Sequence, residues 1–182
     1  MKKLFEKITG IWVIIALSIL GIFLIFILPI YSGYLSKVLN TPLIPDTMIF
    51  YSPTILYNLA SVYKEAGIEA YILSKYTLDI IWPLAYLFSL MIIMLHLYQI
   101  LKQYRGALLL PILAFIFDIL ENISLIIVFS NYPNETGALG YLASAFTILK
   151  WFTLVFCLIF ILIYLGRIRN IRLQKKEDEH HE

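Results

Sequence analysis

One apolar stretch carries the residues best placed for chemistry. From Leu110 to Phe129 the sequence is long enough to cross a bilayer, yet Asp118, Glu121 and Asn122 lie in its middle. Charges inside a membrane span are costly and usually face a bundle interior or a wet cavity. A second apolar stretch carries a base, Lys150, near its centre, and a third carries Asp79, Pro83 and Tyr86. Asp118, Glu121 and Lys150 together are one positive charge short of neutral. Either one carboxyl is protonated, or the set holds a cation or a proton that moves. Asp118 and Glu121 are also suited to general acid-base work.

Depth and face bring these groups together. At about 1.5 Å rise per residue, Asp118 falls near the midpoint of its span, with Glu121 and Asn122 about one turn further out. Lys150 and Tyr86 fall at similar depth. Positions 111, 114, 118, 122, 125 and 129 form one stripe, with Glu121 on its shoulder. Ala143, Thr147, Lys150, Leu154 and Cys157 form another, and Asp79, Pro83, Tyr86 and Leu90 a third. In an up-down four-helix bundle such stripes face one another. Lys150 then neutralises Asp118 or Glu121, because an unpaired ion in low dielectric is far costlier than a paired one. Plainer roles stand beside these. The ion pair can simply set helix register, and Asn122 can act as interhelical hydrogen-bond glue. Asp79 suits the N-terminal dipole of its helix, or a gate over the site. Trp82, Ser89 and His96 form a neighbouring stripe, with His96 expected to pack near the inner end. Pro83 and Pro111 are expected to bend their helices.

The elements that must position these residues are apolar helices. The chain is 61% hydrophobic, well above a soluble domain of this size, and its net charge of +2 argues against nucleic acid. The expected fold is all-α: an integral membrane four-helix up-down bundle forming a single domain over 1–182. Spans are expected at about 11–35, 78–101, 107–130 and 138–165. The first is too long for the roughly 7–15-residue core of a signal peptide, and is read as a retained, lipid-facing span with Pro29 near its outer end. Residues 37–77 are too long for a structureless loop and read as an outward helical cap. Within it, Ser52-Pro53 is a helix start, Ile55, Leu59, Val62 and Ala66 fall at helical spacing, Gly67 is a C-cap, and a second piece runs from Ile68 to Tyr76. Seven tyrosines between Tyr31 and Tyr76 suit an element at the headgroup level. Gly140, Ser144 and Ala145 allow close helix approach.

Lys and Arg concentrate at Lys2, Lys3 and Lys7, at Lys102 and Arg105, and from Arg167 to Lys176. By the positive-inside rule both termini are cytoplasmic, in the plasma (inner) membrane, with a basic tail over 166–182 that ends in a disordered charged segment. The bilayer is the expected partner, with a homodimer or a membrane partner beyond it. No metal and no cofactor is expected. Cys157 is alone, His180-His181 reads as solvated tail, and no nucleotide-binding or metalloprotease motif occurs. Ser124, Ser144 and Cys157 have no histidine at the right depth, so no catalytic residue is assigned. The sequon at Asn134 carries little weight.

Thr77-Leu-Asp-Ile-Ile-Trp-Pro-Leu-Ala-Tyr86, Leu110-Pro111 through Asp118 to Glu121-Asn122, and Leu149-Lys150-Trp151 resemble a family of uncharacterised four-span bacterial membrane proteins, over roughly residues 50–155. The resemblance implies that Asp79, Pro83, Asp118, Glu121, Asn122 and Lys150 belong to one constellation. The overall layout is similar to the emopamil-binding-protein and sigma-2-receptor group at the level of architecture. The expected function is non-enzymatic: binding or passing a proton, an ion or a small amphipathic ligand near the midplane. The alternatives are a membrane enzyme acting on a lipid-like substrate through Glu121, and an assembly subunit whose ion pair fixes helix packing.

Overall fold

A computed structural model describes residues 2–181, with side chains described over 10–174 and at Asp178. The N-terminal lysines and the His180-His181 pair therefore lie outside the described side chains. Among the described residues the structure is helical and holds no strand. Helix α1 spans Lys2–Ile22 and α2 Leu28–Val38; α3 spans Pro53–Tyr76, α4 Leu78–Leu101, α5 Leu110–Asn131 and α6 Leu139–His181. Four stretches are long and apolar enough to cross a membrane: Gly10–Val38, Pro53–Leu101, Arg105–Asn131 and Leu139–Gln174. These are the marks of an integral membrane protein.

Local sequence explains where the helices bend and stop. α1 and α2 join through a π-helical turn, Phe23–Ile27, just before Pro29. Proline has no N–H to give the carbonyl four residues back, and its ring crowds that carbonyl. A wider turn relieves both, so the chain continues helical through Pro29. Ser52 caps α3, its hydroxyl accepting from the Ile55 N–H at 3.3 Å, and Pro53 takes the first helical position. The break in α3 falls at Lys64, with φ +58° and ψ 179°, and not at Gly67. Gly67 is buried inside the second half, where an added Cβ would lie 3.1 Å from Tyr63 Cβ. Close packing, not a cap, is what that glycine serves. Thr77 alone separates α3 from α4.

Pro111 does not bend α5. It lies in the first turn, where the missing N–H has no partner to lose. A short 3₁₀ segment, Arg105–Leu109, occupies the expected start of that span. α6 also departs from expectation: it stays helical from Leu139 to His181, through the tail read as disordered.

Packing divides the interior into two apolar ends. At one end Leu35, Leu39, Tyr51, Leu56, Tyr63, Tyr71, Leu125, Phe129 and Ala143 form a buried cluster from α2, α3, α5, α6 and the segment before α3. At the other, Ala16, Ile93, Leu97 and Tyr164 pack α1, α4 and α6, while Met94, Ala107 and Cys157 pack beside them. The buried polar residues Tyr86, Asp118, Glu121, Thr147 and Lys150 fall between these ends in each helix. By contrast the outer face of α1 and α2 is bare: Ile14, Ile25 and Ile30 are all largely exposed. So much contiguous apolar surface needs lipid or a partner over it.

Candidate functional site

Lys150 sits between two carboxylates of α5. Its Nζ is 2.5 Å from Glu121 Oε2 and 3.5 Å from Asp118 Oδ1. A three-residue step puts Asp118 and Glu121 on adjoining parts of one helix face, so one ammonium reaches both. The other carboxylate oxygens are also engaged. Tyr86 donates its hydroxyl proton to Asp118 Oδ2 at 3.0 Å. Thr147 donates to Glu121 Oε1 at 2.7 Å. Tyr51, from the segment before α3, shares a hydrogen bond of 2.8 Å with the Thr147 hydroxyl. The result is an unbroken polar chain: Tyr51, Thr147, Glu121, Lys150, Asp118, Tyr86. Glu121 is fully enclosed, at 0% side-chain exposure.

A second lysine forms a matching centre that sequence reasoning missed. Lys75, near the end of α3, has no exposed side-chain surface and pairs with Asp46 and, at 3.0 Å, with Asp79. Tyr71 donates to Asp46 Oδ2 at 2.9 Å, and Ser74 to Asp79 Oδ2 at 3.3 Å. The Lys75 ammonium also lies 4.8 Å from the centre of the Tyr71 ring, a cation–π contact. Burial works to raise the Asp46 carboxyl. The Lys75 and Lys150 charges, with hydrogen bonds from Lys75 and Tyr71, outweigh it and hold the group below the ordinary carboxylate range. Asp79 is thus an ion-pair partner rather than only a dipole cap. A sequence signal for the pair existed: Lys75 and Asp79 stand four apart, the spacing of a helical ion pair. Asp46, which lies in a short 3₁₀ turn, Pro45–Thr47, had no such signal.

The tyrosines separate by environment. Tyr34 and Tyr76 are exposed, as suits an interface, but Tyr51, Tyr63 and Tyr71 are buried. Tyr63 and Tyr71 pack on Phe129, with ring centres 5.7 Å and 4.7 Å away. Their hydroxyls serve the interior, Tyr63 by donating to the Leu43 carbonyl at 2.7 Å. Three of the seven therefore build the inner wall and not a headgroup belt.

Pro83 and Asn122 explain each other. Pro83 lies inside α4 and has no N–H for the carbonyl of Asp79 four residues earlier. Asn122 Nδ2 donates to that same carbonyl at 2.9 Å. A buried backbone oxygen is thereby satisfied from a neighbouring helix. Asn122 Oδ1 is left without a partner. The small residues of α6 likewise receive the first residue of α3 and the segment just before it. An added Cβ at Gly140 would lie 3.0 Å from Pro53, and Ser144 Oγ accepts the Tyr51 N–H at 3.1 Å.

A cavity of about 400 Å³ joins the two lysine centres. Asp46, Asp79, Asp118 and Lys150 supply its charged wall; Leu24, Leu28, Trp82, Pro83, Trp151 and Leu154 supply much of the rest. Of the six residues singled out from the sequence, Asp79, Asp118 and Lys150 line this space. Tyr86 and Glu121 lie behind Asp118 and Lys150, and Asn122 braces α4. Such a wall can hold a positively charged group beside apolar surface, and the hydrogen-bonded chain behind it can hold or shift a proton. Among the described residues, no three of His, Cys, Asp and Glu converge to hold a metal ion. No protein-family model matches this chain, and comparison with curated proteins and with solved structures found no match.

Proposed function

We propose that the chain is a plasma-membrane (inner-membrane) protein whose four spans form an up-down bundle, and that its cavity binds a small amphipathic ligand carrying a positive charge. Both termini are cytoplasmic, and residues 37–77 cap the outward side. The observation that carries this is the cavity wall itself, where acids from the α2–α3 segment, α4 and α5 meet beside apolar side chains. Asp46, Asp79, Asp118 and Glu121 share only Lys75 and Lys150, so a cationic ligand relieves a surplus of negative charge. Trp82 and Trp151 offer ring faces suited to a cation. The lysine and arginine asymmetry supports the orientation.

Proton passage is the second reading, favoured by the chain of hydroxyls and charges from Tyr51 to Tyr86. Acid-base catalysis by Glu121 has less support, because Glu121 is sealed behind Thr147 and Lys150 and does not line the cavity.

Tryptophan fluorescence of the purified protein, titrated with hexylammonium and with 1-hexanol, tests the ligand reading. Saturable change is expected with the amine alone, weakened about tenfold or more in Asp46→Asn/Asp79→Asn, in line with about 1.5–3 kcal/mol for hydrogen bonds to charged groups. An identical, non-saturating response to both compounds sinks it. Dye-loaded liposomes under a pH step test the proton reading: a collapse no faster than in empty vesicles removes it.

A further inference from the structure

A separate groove lies at the opposite end of the helices, between α1, α4 and α6, with a volume of about 530 Å³. Its floor is aliphatic, built by residues such as Val13, Ile93 and Ile161. Its polar lining comprises His96, Arg169 and Arg172. The two arginines stand three apart, so they are neighbours on one face of α6. Both are exposed, and no carboxylate among the described residues pairs with either. Arg167 differs. It lies 5.0 Å from the Tyr104 ring centre and donates to Gln103. His96 Nδ1 is buried in the same wall with no hydrogen-bond partner, and such an atom calls for an explanation.

We propose that this groove binds one molecule of an anionic phospholipid, with Arg169 and Arg172 on its phosphate and an acyl chain along the aliphatic floor. Paired guanidinium groups match phosphate oxygens in geometry as well as charge. The arginines follow the apolar part of α6, at headgroup level, while the floor continues into the hydrocarbon depth. Basic flanks attract anionic lipid diffusely. The groove adds chain contacts, so here a single lipid is held at one place. The proposal is independent of any ligand in the acidic cavity.

Native mass spectrometry of the full chain in detergent tests it, with phosphatidylglycerol, phosphatidylcholine and inorganic phosphate added in turn. One phosphatidylglycerol per chain is expected to stay bound, phosphatidylcholine is not, and equimolar phosphate does not displace it. Arg169→Gln/Arg172→Gln is expected to weaken retention at least tenfold. Arg105→Gln/Arg167→Gln removes the same charge from the same end and is expected to change it less than threefold. Val13→Trp fills the floor and is expected to weaken retention with every arginine in place. Equal weakening by the two arginine pairs, equal retention of the two lipids, displacement by phosphate, or no effect of Val13→Trp overturns the proposal.

Discussion

The molecule holds the same motif twice: one buried lysine between two carboxylates, with a tyrosine hydroxyl on one acid and a serine or threonine hydroxyl on the other. The two copies differ in enclosure. Around Lys150 the acids Asp118 and Glu121 are 8% and 0% exposed; around Lys75 the acids Asp46 and Asp79 are 24% and 23% exposed. Asp118, Glu121 and Lys150 come from the middles of membrane-length helices, so they have no route to water except a cavity. Asp46 lies outside those helices and Asp79 opens one. Enclosure decides what each acid is suited to. Glu121, sealed behind Thr147 and Lys150, is suited to holding helices in register, whereas Asp46, Asp79 and Asp118, which line the cavity, can exchange a partner.

Removing each lysine is the strongest way to break this contrast. Lys150→Met strands two enclosed carboxylates, and the loss expected is about 3–5 kcal/mol, the cost of breaking a buried pair. Lys75→Met is expected to lose less, because Asp46 and Asp79 are about a quarter exposed and regain solvation more readily than Asp118 and Glu121. Thermal unfolding of both variants in one detergent measures the order; a larger loss for Lys75→Met reverses the contrast.

A smaller effect tests the brace between α4 and α5. Asn122→Ala leaves the Asp79 carbonyl unsatisfied, at about 1–3 kcal/mol. Pro83→Ala restores an N–H to that carbonyl, so the Asn122→Ala loss is expected to shrink in the Pro83→Ala background. A double-mutant cycle reads the coupling, and additive losses refute it.

The Lys75 centre also has a pH signature. The Asp46 carboxyl is held below its ordinary value, so its folded pKa lies under the unfolded one. Its contribution is complete above the unfolded value of about 3.9 and fades as pH falls through the folded value. Stability of Asp46→Asn is therefore expected to fall less steeply than wild type below about pH 4. Parallel curves remove Asp46 from the ion pair.

The smallest expected effect is a gain. Lys64 holds a φ and ψ that glycine adopts far more readily, at a cost of about 1–3 kcal/mol. Lys64→Gly should stabilise the protein by about 1 kcal/mol, offset by the unfolded-state entropy of glycine. A lowered midpoint means the α3 break is held by lysine contacts and not tolerated as strain.

Much of the sealed centre was legible in advance, because it obeys helical periodicity. Asp118, Glu121 and Lys150 stand out as charges in apolar runs, and counting residues places them at one depth and on facing stripes. The Lys75 centre was legible only in the four-residue step from Lys75 to Asp79. Asp46 sits in a polar-looking turn and Lys75 at the end of a helix of mixed composition, while Tyr51, which joins the Lys150 centre, stands before the cap of that helix. Nothing in a one-dimensional pattern says that such residues fold inward. Pro111 and Gly67 depart from expectation for a related reason: whether proline starts or bends a helix, and whether glycine caps or packs, depends on neighbours distant in the chain.

That the chain is all-helical, that four stretches suit a bilayer and that charges are shared between helices follows from local sequence alone. Hydropathy and the 3.6-residue period suffice for that, since both are local properties of the chain. Contacts made in the folded molecule bring Lys75, Asp46 and Tyr51 inward, set Asn122 against the carbonyl that Pro83 leaves free, and open a cavity lined by acids of both lysine centres. Those outcomes depend on how α3 and its leading segment lie against α5 and α6, and such packing is set by contacts between residues far apart in sequence.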